Sequence, residues 1–289
     1  MFKIFLSVLL AVIFSLPIAA NAKSQTLQID GDHGKLSAII QTPDGKKSYT
    51  LVIICHGFTG NKNEPLLTNL ANNLEAAGIA SIRFDFNGHG DSEGNFSDMT
   101  VLNEIEDAKK IYAYVNNLPN VTSISIAGHS QGGVVASMVA GELGNKKIKA
   151  LALMAPAAVL RDDAIRGHIF DKTYDAINPP ETVEIFKGLK LGRNYIKTAQ
   201  TLPIYETAEK FQGPALMIHG TGDIVVPYTF SLHYQHIYKN SRLELLTNFD
   251  HSFTQDVKRV TKIVADYFSE HLKPEETKIK NVGFNISEF

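Results

Sequence analysis

The pentapeptide Gly128-His129-Ser130-Gln131-Gly132 is the most informative part of this sequence. A β-branched run, Val121 to Ile126, precedes it, and a run of small residues, Gln131 to Glu142, follows it. A strand, the pattern G-x-S-x-G and a helix, in that order, are typical of a turn that presents a reactive serine. The glycines allow strand and helix to approach closely, and the first helical turn offers free N–H groups that can hold an anion. The pattern predicts that Ser130 is a nucleophile; the alternative is an incidental serine in a glycine-rich turn.

Length and composition narrow the class of protein. The chain has 289 residues, of which 44% are hydrophobic, and a formal net charge of −2. These values suit one globular domain with a large core and room for an insertion. The near-neutral charge gives no electrostatic footprint for nucleic acid, so we expect no nucleic-acid partner. The single cysteine, Cys55, ends an apolar run and is predicted to be a buried, inert thiol.

The first 22 residues have the composition of a secretory signal peptide. Lys3 is followed by an apolar stretch, Ile4 to Leu16, and then by Ala20-Asn21-Ala22. This order predicts cleavage after Ala22 and a secreted or periplasmic product; an uncleaved N-terminal anchor is the alternative. No other stretch is long and apolar enough to span a bilayer, so we expect no membrane association after cleavage.

Strand and helix patterns alternate along most of the chain. Two alternating segments, Gln25 to Ile29 and Leu36 to Gln41, predict an antiparallel hairpin. Predicted strands then cover Leu51 to Cys55, Ala80 to Phe84, Val121 to Ile126, Lys149 to Met154, Pro214 to His219 and Arg242 to Leu246, and predicted helices cover Pro65 to Ala77, Thr100 (as N-cap) to Asn117, Tyr228 to Tyr238 and Gln255 to His271. This alternation predicts the α/β class, with a doubly wound, mostly parallel sheet.

The alternation fails between Met154 and Pro214. Residues 156–212 have mixed polarity, scattered tyrosines and phenylalanines, and the pair Pro179-Pro180. They are too many for an ordinary connection, so we predict an inserted cap over the mouth of the site. Residues 23–155 and 213–272 are then the two parts of the core. Residues 273–289 are predicted to be a loosely attached polar tail.

A serine nucleophile needs a general base and an acid that orients the base. Asp223 and His251 each follow a predicted late strand, and catalytic groups gather at the carboxyl ends of strands in such sheets. The order Ser130, Asp223, His251 therefore predicts a catalytic triad. Asp250 is the rival for the acid, but its adjacency to His251 places it poorly for bonding that ring. No H-E-x-x-H pattern or close His/Asp ligand set is present, so we expect neither metal nor organic cofactor.

A tetrahedral intermediate formed by attack of a serine on a carbonyl needs two N–H donors at its oxyanion. The residue after the nucleophile, Gln131, supplies the first donor from its backbone. The loop after the strand Leu51 to Cys55 supplies the second, and within His56-Gly57-Phe58 we assign it to the backbone of Phe58.

These motifs together resemble those of bacterial α/β-hydrolase esterases. The most specific resemblance is to the feruloyl (cinnamoyl) esterases of gut and rumen bacteria. It covers nearly the whole mature chain. It is carried by His56-Gly57-Phe58, Gly88-His89-Gly90-Asp91-Ser92, the serine pentapeptide, the pair Asp223 and His251, and the cap stretch Ala199-Gln200-Thr201-Leu202-Pro203-Ile204-Tyr205-Glu206.

The resemblance implies a substrate class. Such enzymes release hydroxycinnamic acids (ferulate, p-coumarate or caffeate) from esters of plant cell-wall sugars, so the substrate would be a small-molecule or oligosaccharide-linked ester. In that family a cap acid and a cap tyrosine hold the phenolic end, and by position these are Asp163 and Tyr195. The alternative is that Asp163 is a surface charge and Tyr195 only packs the cap. Phe170 departs from the family, because related enzymes can carry a further polar contact there.

Two other functions remain open from the sequence. The first is a general short-chain acylesterase or monoacylglycerol lipase, which a cap lined with aliphatic groups would favour. The second is an inactive binding module on a hydrolase fold, because a fold alone does not fix a function.

Overall fold

The computed structural model describes residues 23–272, which form eight α-helices, twelve strands and two 3-10 helices, Phe96–Asp98 and Phe186–Gly188. The predicted signal peptide, residues 1–22, and the predicted tail, residues 273–289, lie outside the described residues. The strands are β1 Lys23–Asp30, β2 Lys35–Thr42, β3 Tyr49–Cys55, β4 Ala80–Phe84, β5 Val121–His129, β6 Ile148–Met154, β7 His168–Ile169, β8 Lys172–Thr173, β9 Thr182–Glu184, β10 Lys190–Gly192, β11 Ala215–Gly220 and β12 Ser241–Leu246. The helices are α1 Pro65–Ala76, α2 Val101–Asn116, α3 Gln131–Leu143, α4 Val159–Arg166, α5 Arg193–Gln200, α6 Ile204–Ala208, α7 Thr229–Ile237 and α8 Val257–His271.

Eight of the strands form one sheet in the order β1-β2-β4-β3-β5-β6-β11-β12. The pairs β1/β2 and β2/β4 are antiparallel, and every other neighbouring pair in this sheet is parallel. The predicted α/β class with a mostly parallel sheet is confirmed. The carboxyl ends of β3, β5, β6, β11 and β12 consequently lie along one edge.

Helices cover both faces of the sheet. Alternate side chains of the buried strands belong to two separate apolar clusters: Ile53 of β3 packs with α2 and α3, whereas Val52 and Ile54 pack with α1 and α8. Burial on both faces explains why the central strands have continuous apolar sequences.

The predicted N-cap of α2 is confirmed, since the Thr100 hydroxyl accepts a hydrogen bond from the backbone N–H of Asn103 at 3.2 Å.

Helix α3 follows the serine pentapeptide and is buried on almost every side. Val134, Val135, Val139 and Ala140 have no exposed surface. A Cβ at Gly141 would lie 2.0 Å from the carbonyl oxygen of Thr207 in α6, so glycine permits the close approach of these two helices. The run of small residues on which the prediction of this helix rested therefore also allows α3 to pack between the sheet and α6.

The segment between β6 and β11 contains helices α4, α5 and α6 and two short hairpins, β7–β8 and β9–β10. None of its helices exceeds eight residues. Among residues 23–272 no helix combines the length and the apolar character needed to cross a bilayer.

Candidate active site

Ser130 lies at a sharp turn between β5 and α3. Its backbone has φ of 56° and ψ of −123°, a left-handed conformation that is strained for any residue with a side chain. A Cβ at Gly128 would lie 2.0 Å from the carbonyl oxygen of Gly132, and a Cβ at Gly132 would lie 2.2 Å from that of His56. Both glycines of G-x-S-x-G are thus required by the close approach of backbones, and the serine is held at the tip of the turn.

The structure brings Ser130, His251 and Asp223 together. His251 Nε2 is 2.9 Å from Ser130 Oγ, and His251 Nδ1 is 2.7 Å from Asp223 Oδ2. His251 lies in the loop between β12 and α8, and Asp223 lies in the loop after β11. A carboxylate only accepts, so Nδ1 carries the proton and Nε2 is free to accept the hydroxyl proton of Ser130.

Asp223 is fixed by donors on both of its oxygens. Oδ1 accepts the backbone N–H groups of Val225 and Val226, each at 2.8 Å, and Oδ2 also lies 3.1 Å from His219 Nε2. Burial raises the pKa of Asp223, but hydrogen bonds from His219 and His251 outweigh burial and hold the pKa below its ordinary value. Asp223 is therefore ionised at neutral pH and can stabilise a charged His251.

The rival acid Asp250 is not in this arrangement. Its carboxylate accepts hydrogen bonds from the backbone N–H and the hydroxyl of Thr254, and its own N–H donates to Gln255. In the described part of the chain the ring of His251 bonds Asp223 and Ser130 instead. Asp250 shapes the loop that carries His251.

The two predicted oxyanion donors lie beside the nucleophile. Gln131 is the first residue of α3, and a Cβ at Gly57, the neighbour of Phe58, would lie 3.0 Å from Ser130 Cβ. Within residues 23–272 neither the backbone N–H of Phe58 nor that of Gln131 donates to another group. Both amides are available for an oxyanion at Ser130.

Contacts with the loop after β4 hold the Phe58 loop. His56 Nδ1 bonds the carbonyl oxygen of Gly57 at 2.8 Å, and His56 Nε2 accepts the N–H of Phe86 at 3.1 Å. Burial lowers the pKa of His56 to about 3, so the ring is neutral. Lys62 forms a buried ion pair with Asp85, with Nζ and Oδ2 2.5 Å apart. These contacts make His56 a structural residue.

The side chain of Gln131 is held at both ends. Its Oε1 accepts the hydroxyl of Tyr195 at 2.7 Å, and its Nε2 donates to Glu104 Oε2 at 2.8 Å. Tyr195, Gln131 and Glu104 are all buried. The Tyr195 hydroxyl has thereby used its proton, but it can still accept a hydrogen bond.

A cavity of about 420 Å³ lies between Ser130 and the segment 155–214. Ser130 and Gln131 line it, and Asp163, Tyr174 and Tyr195 add further polar groups to its wall. Its other lining residues are mostly apolar: Phe58, Ala157, Val159, Leu160, Ala164, Ile169, Phe170, Ile224, Val225 and Val226, together with His168 and Asp171. The structure thus places both predicted substrate-binding residues, Asp163 and Tyr195, on the wall of the cavity that contains the nucleophile.

Asp163 is half-buried in this cavity. Burial raises the pKa of its carboxyl, and His168 opposes the change, with His168 Nδ1 3.4 Å from Asp163 Oδ1. The aromatic ring of Phe170 lies 5.8 Å from that of Phe58 and 5.1 Å from that of Phe186. Phe170 therefore contributes an apolar wall to this cavity.

Three residues of this site were missed by sequence reasoning: His219, Glu104 and His129. His219 lies four residues before Asp223, at the end of β11, which is a spacing that a sequence search can use. Glu104 and His129 make their contacts across 27 and 122 residues, and no local pattern indicates them. No group of three or more His, Cys, Asp or Glu residues within 23–272 is arranged to hold a metal ion.

Comparison with known proteins identifies the family. Residues 46–176 match the family model described as Hydrolase_4, serine aminopeptidase S33. Est1E from Butyrivibrio proteoclasticus, solved with ferulic acid bound, is 32% identical with a TM-score of 0.83, over 86% of this chain and 100% of that chain. The chain belongs to the α/β-hydrolase superfamily. The match to Est1E agrees with the resemblance to feruloyl esterases that the motifs indicated.

Curated relatives match over shorter regions. The lysophosphatidylserine lipase ABHD12 of Danio rerio is 26% identical over 63% of this chain and 46% of its own length. The putative esterase/lipase 2 of Mycoplasma genitalium is 32% identical over 52% of this chain and 63% of its own length. An uncharacterized 31.7 kDa protein of Escherichia coli is matched over 35% of its length. The chain thus spans about a third to two thirds of these relatives, which supports assignment to hydrolases but no particular substrate.

Proposed function

We propose that this hydrolase is a serine carboxylesterase that releases hydroxycinnamic acids from small-molecule or oligosaccharide-linked esters. One observation carries the proposal: the nucleophile and a half-buried acid, Asp163, line the same cavity, which otherwise has a mostly apolar wall. A planar aromatic acyl group with a polar far end has the matching distribution of polar and apolar surface. Est1E, in which ferulic acid has been observed, gives independent support.

The reaction follows from the hydrogen bonds of the triad. His251 Nε2 takes the proton of Ser130 Oγ as the oxygen attacks the ester carbonyl, and the carbonyl π electrons move to the oxygen. The backbone N–H groups of Phe58 and Gln131 stabilise that oxyanion. When the intermediate collapses, the protonated His251 gives its proton to the departing alcohol, and an acyl-enzyme on Ser130 remains. Water, deprotonated by His251, then releases the acid and restores Ser130. Asp223 stays ionised throughout.

The contact made by the phenolic end of the acyl group determines which esters are preferred. A phenol buried beneath the cap loses its hydrogen bonds to water and needs a partner in the protein. Asp163 can accept the phenolic proton, and the oxygen of Tyr195 has a lone pair available. Phe58 and Phe170 supply aromatic surface for the ring of the substrate.

The experiment compares kcat/KM on methyl ferulate, methyl cinnamate and a short aliphatic ester. Methyl cinnamate has the same propenoyl-phenyl skeleton but no phenol, so it isolates the polar contact. We expect methyl ferulate to be preferred over methyl cinnamate by roughly tenfold or more. Ser130→Ala should lose activity by several orders of magnitude while remaining folded. Ser269→Ala, on the outer helix α8, is the matched control and should retain activity.

The second candidate is a general short-chain acylesterase or monoacylglycerol lipase. It is favoured by the aliphatic residues Leu160, Ile169 and Ile224, which line the same cavity. Under that function the short aliphatic ester would be the best of the three substrates, and the phenol would make no difference. If no ester is hydrolysed, a binding module on a hydrolase fold becomes the better account.

We also propose that the chain is exported and cleaved after Ala22. The support is the composition of residues 1–22 alone. N-terminal sequencing of the protein recovered from periplasmic and extracellular fractions is the test, and the expected first residue is Lys23. A protein that retains residues 1–22 in the membrane fraction would favour an uncleaved anchor.

A further inference from the structure

A chain of buried side chains links the cap to the oxyanion hole and ends at an acid that the triad does not use. It runs from the Tyr195 hydroxyl through the Gln131 amide to the Glu104 carboxyl, with hydrogen bonds of 2.7 and 2.8 Å. The three residues belong to α5, α3 and α2, so three separate elements meet at one glutamine. Glu104 is 1% exposed and Gln131 is 2% exposed.

We propose that Glu104, as a neutral carboxylic acid, is a positioning residue for the oxyanion hole. The proposal rests on the ester hydrolysis at Ser130 proposed above, but not on the identity of the acyl group. Glu104 acts through Gln131, whose backbone N–H is one of the two oxyanion donors, and it does not touch the substrate.

Glu104 restrains the Gln131 residue through its side chain. The main chain is held separately, because the Gln131 N–H shares a peptide group with the Ser130 carbonyl, which accepts the backbone N–H groups of Gly133 and Ala157. The side chain of Gln131 is fixed at Nε2 by Glu104 and at Oε1 by Tyr195, which restrains the backbone from which the side chain extends. An oxyanion donor must lie within a few tenths of an ångström of its best position, because its contribution depends on preorganisation. Loss of either contact would leave the amide to its main-chain restraints alone and widen the range of positions that it occupies.

The neutral state of Glu104 matters because of the charge that develops nearby. An ionised carboxylate behind Gln131 would oppose the negative charge of the oxyanion in front of it. Burial raises the pKa of Glu104 to about 8, with the hydrogen bond from Gln131 opposing and Asp107 adding to the rise. The acid is therefore protonated at neutral pH.

The surroundings of Glu104 contain no cation in contact with it among the described residues. Met99 lies beside Gln131 Nε2 at 3.7 Å, and the facing titratable groups are Cys55 of β3, Asp107 of α2 and Tyr195 of α5. On its other side Glu104 borders a second cavity of about 170 Å³, which His33 and Asp98 also line. Glu104 Oε1 is buried and has no hydrogen-bond partner in the described chain.

The test uses p-nitrophenyl acetate, which needs the triad and the oxyanion hole but has no phenolic acyl group. Glu104→Leu removes the acceptor for Gln131 and should lower kcat at pH 7 by roughly tenfold or more, with KM within about twofold of wild type. Glu104→Gln keeps an acceptor oxygen and should restore kcat to within about threefold. Val115→Ala, buried in the same helix but eleven residues away, controls for loss of packing and should not lower kcat.

The pH profile separates positioning from a purely structural role. In wild type, kcat should fall as the pH rises through about 8, because Glu104 then ionises. In Glu104→Gln that alkaline decrease should be absent up to about pH 9.5. The proposal is overturned if Glu104→Leu has the kcat of wild type, or if Glu104→Gln keeps the same alkaline decrease.

The proposal can still be tested if Glu104→Leu does not fold or if the hydroxycinnamate assignment fails. If Glu104→Leu does not fold, the pH profile of Glu104→Gln alone decides the matter. If the hydroxycinnamate assignment is wrong, wild type will show no preference for methyl ferulate over methyl cinnamate, whereas the acetate measurements on the Glu104 variants are unaffected. Failure of one proposal is therefore distinguishable from failure of the other.

Discussion

The imidazole of His129 donates a hydrogen bond to the main-chain carbonyl of His251, with Nε2 and O 2.9 Å apart. His129, the residue before Ser130, therefore anchors the backbone of His251, and the two rings lie 5.0 Å apart. Burial lowers the pKa of His129 to about 3, so its ring stays neutral and places no fixed charge beside His251. The motif G-x-S-x-G leaves this position unspecified, yet in this chain it helps to assemble the triad.

Replacement of His129 by phenylalanine should impair catalysis while an aromatic ring still fills the position of the imidazole. His129→Phe keeps a ring of similar shape but loses the hydrogen bond to the loop that carries His251. We expect kcat on p-nitrophenyl acetate to fall by roughly tenfold, because misplacement of a general base lowers the rate more than binding. His236→Phe, on the exposed side of α7, is the matched control. Equal kcat values in the two variants would remove His129 from the catalytic arrangement.

The two acids considered as partners of His251 should differ sharply when each is replaced by asparagine. Asp223→Asn removes the charge that stabilises protonated His251 and disturbs its tautomer, so kcat should fall by several orders of magnitude. Asp250→Asn changes only the loop contact with Thr254 and should stay within about threefold of wild type. Steady-state kinetics on one ester measures both. A reversed order of damage would make Asp250 the acid of the triad.

Variants of Asp163 and Tyr195 should distinguish binding of the phenol from positioning of the oxyanion donor. Asp163→Ala removes the acceptor for a phenolic proton, so kcat/KM for methyl ferulate should fall by about tenfold, or about 1.4 kcal/mol, with little change for methyl cinnamate. Tyr195→Phe also releases Gln131, so both esters should lose rate in that variant.

The ratio of the two specificity constants is the measurement for these cap variants. Asp162→Ala, one residue away on α4, is the control for a general change of charge. If Asp163→Ala slows both esters equally, Asp163 holds the cap and not the phenol. If it slows neither, the general acylesterase function gains support.

Glu104 should also make the folded state less stable as the pH rises. Between its ordinary pKa of 4.5 and about 8 the native state keeps the proton that the unfolded state has lost, so the unfolding free energy decreases with rising pH. From pH 6.5 to 8, Glu104→Gln should gain about 1.5–2 kcal/mol relative to wild type, since one pKa unit corresponds to about 1.4 kcal/mol. Urea unfolding at the two pH values measures this gain. Contributions from histidines cancel in the comparison, and a constant difference between the proteins would show that Glu104 ionises normally.

The sheet and the contact of Ser130 and Asp223 with His251 could be predicted because their signals are local. Buried strands have continuous apolar runs, and Ser130, Asp223 and His251 each directly follow a strand or lie in the loop after one. Strand β5 nevertheless extends three residues beyond the predicted Ile126, since Ala127, Gly128 and His129 continue the ladder with β6 despite their weak β-propensity.

The interior of the segment 155–214 could not be predicted for the opposite reason. Its elements are short: helix α5 buries Tyr195, Ile196 and Ala199 on one face, but its eight residues are too few for a helical period to stand out in the sequence. Long-range contacts such as that of Tyr195 with Gln131 hold it in place. The side-chain contacts of His129 and Glu104 likewise join distant parts of the chain, and no spacing in the sequence reports them. In this chain, sequence patterns are a good guide to the candidate reactive groups. They are a poor guide to the contacts that hold those groups in place.

The triad bridges distant parts of the chain, and this makes hydrolysis a reporter of folding. The contact between Ser130 and His251 spans 121 residues, and His251 reaches its position only when β11 and β12 have joined the edge of the sheet. Closing such a long loop has an entropic cost that local contacts do not have, so non-local pairings form slowly. In a refolding experiment, recovery of ester hydrolysis would therefore time the docking of the last two strands, after the helical signal has already returned.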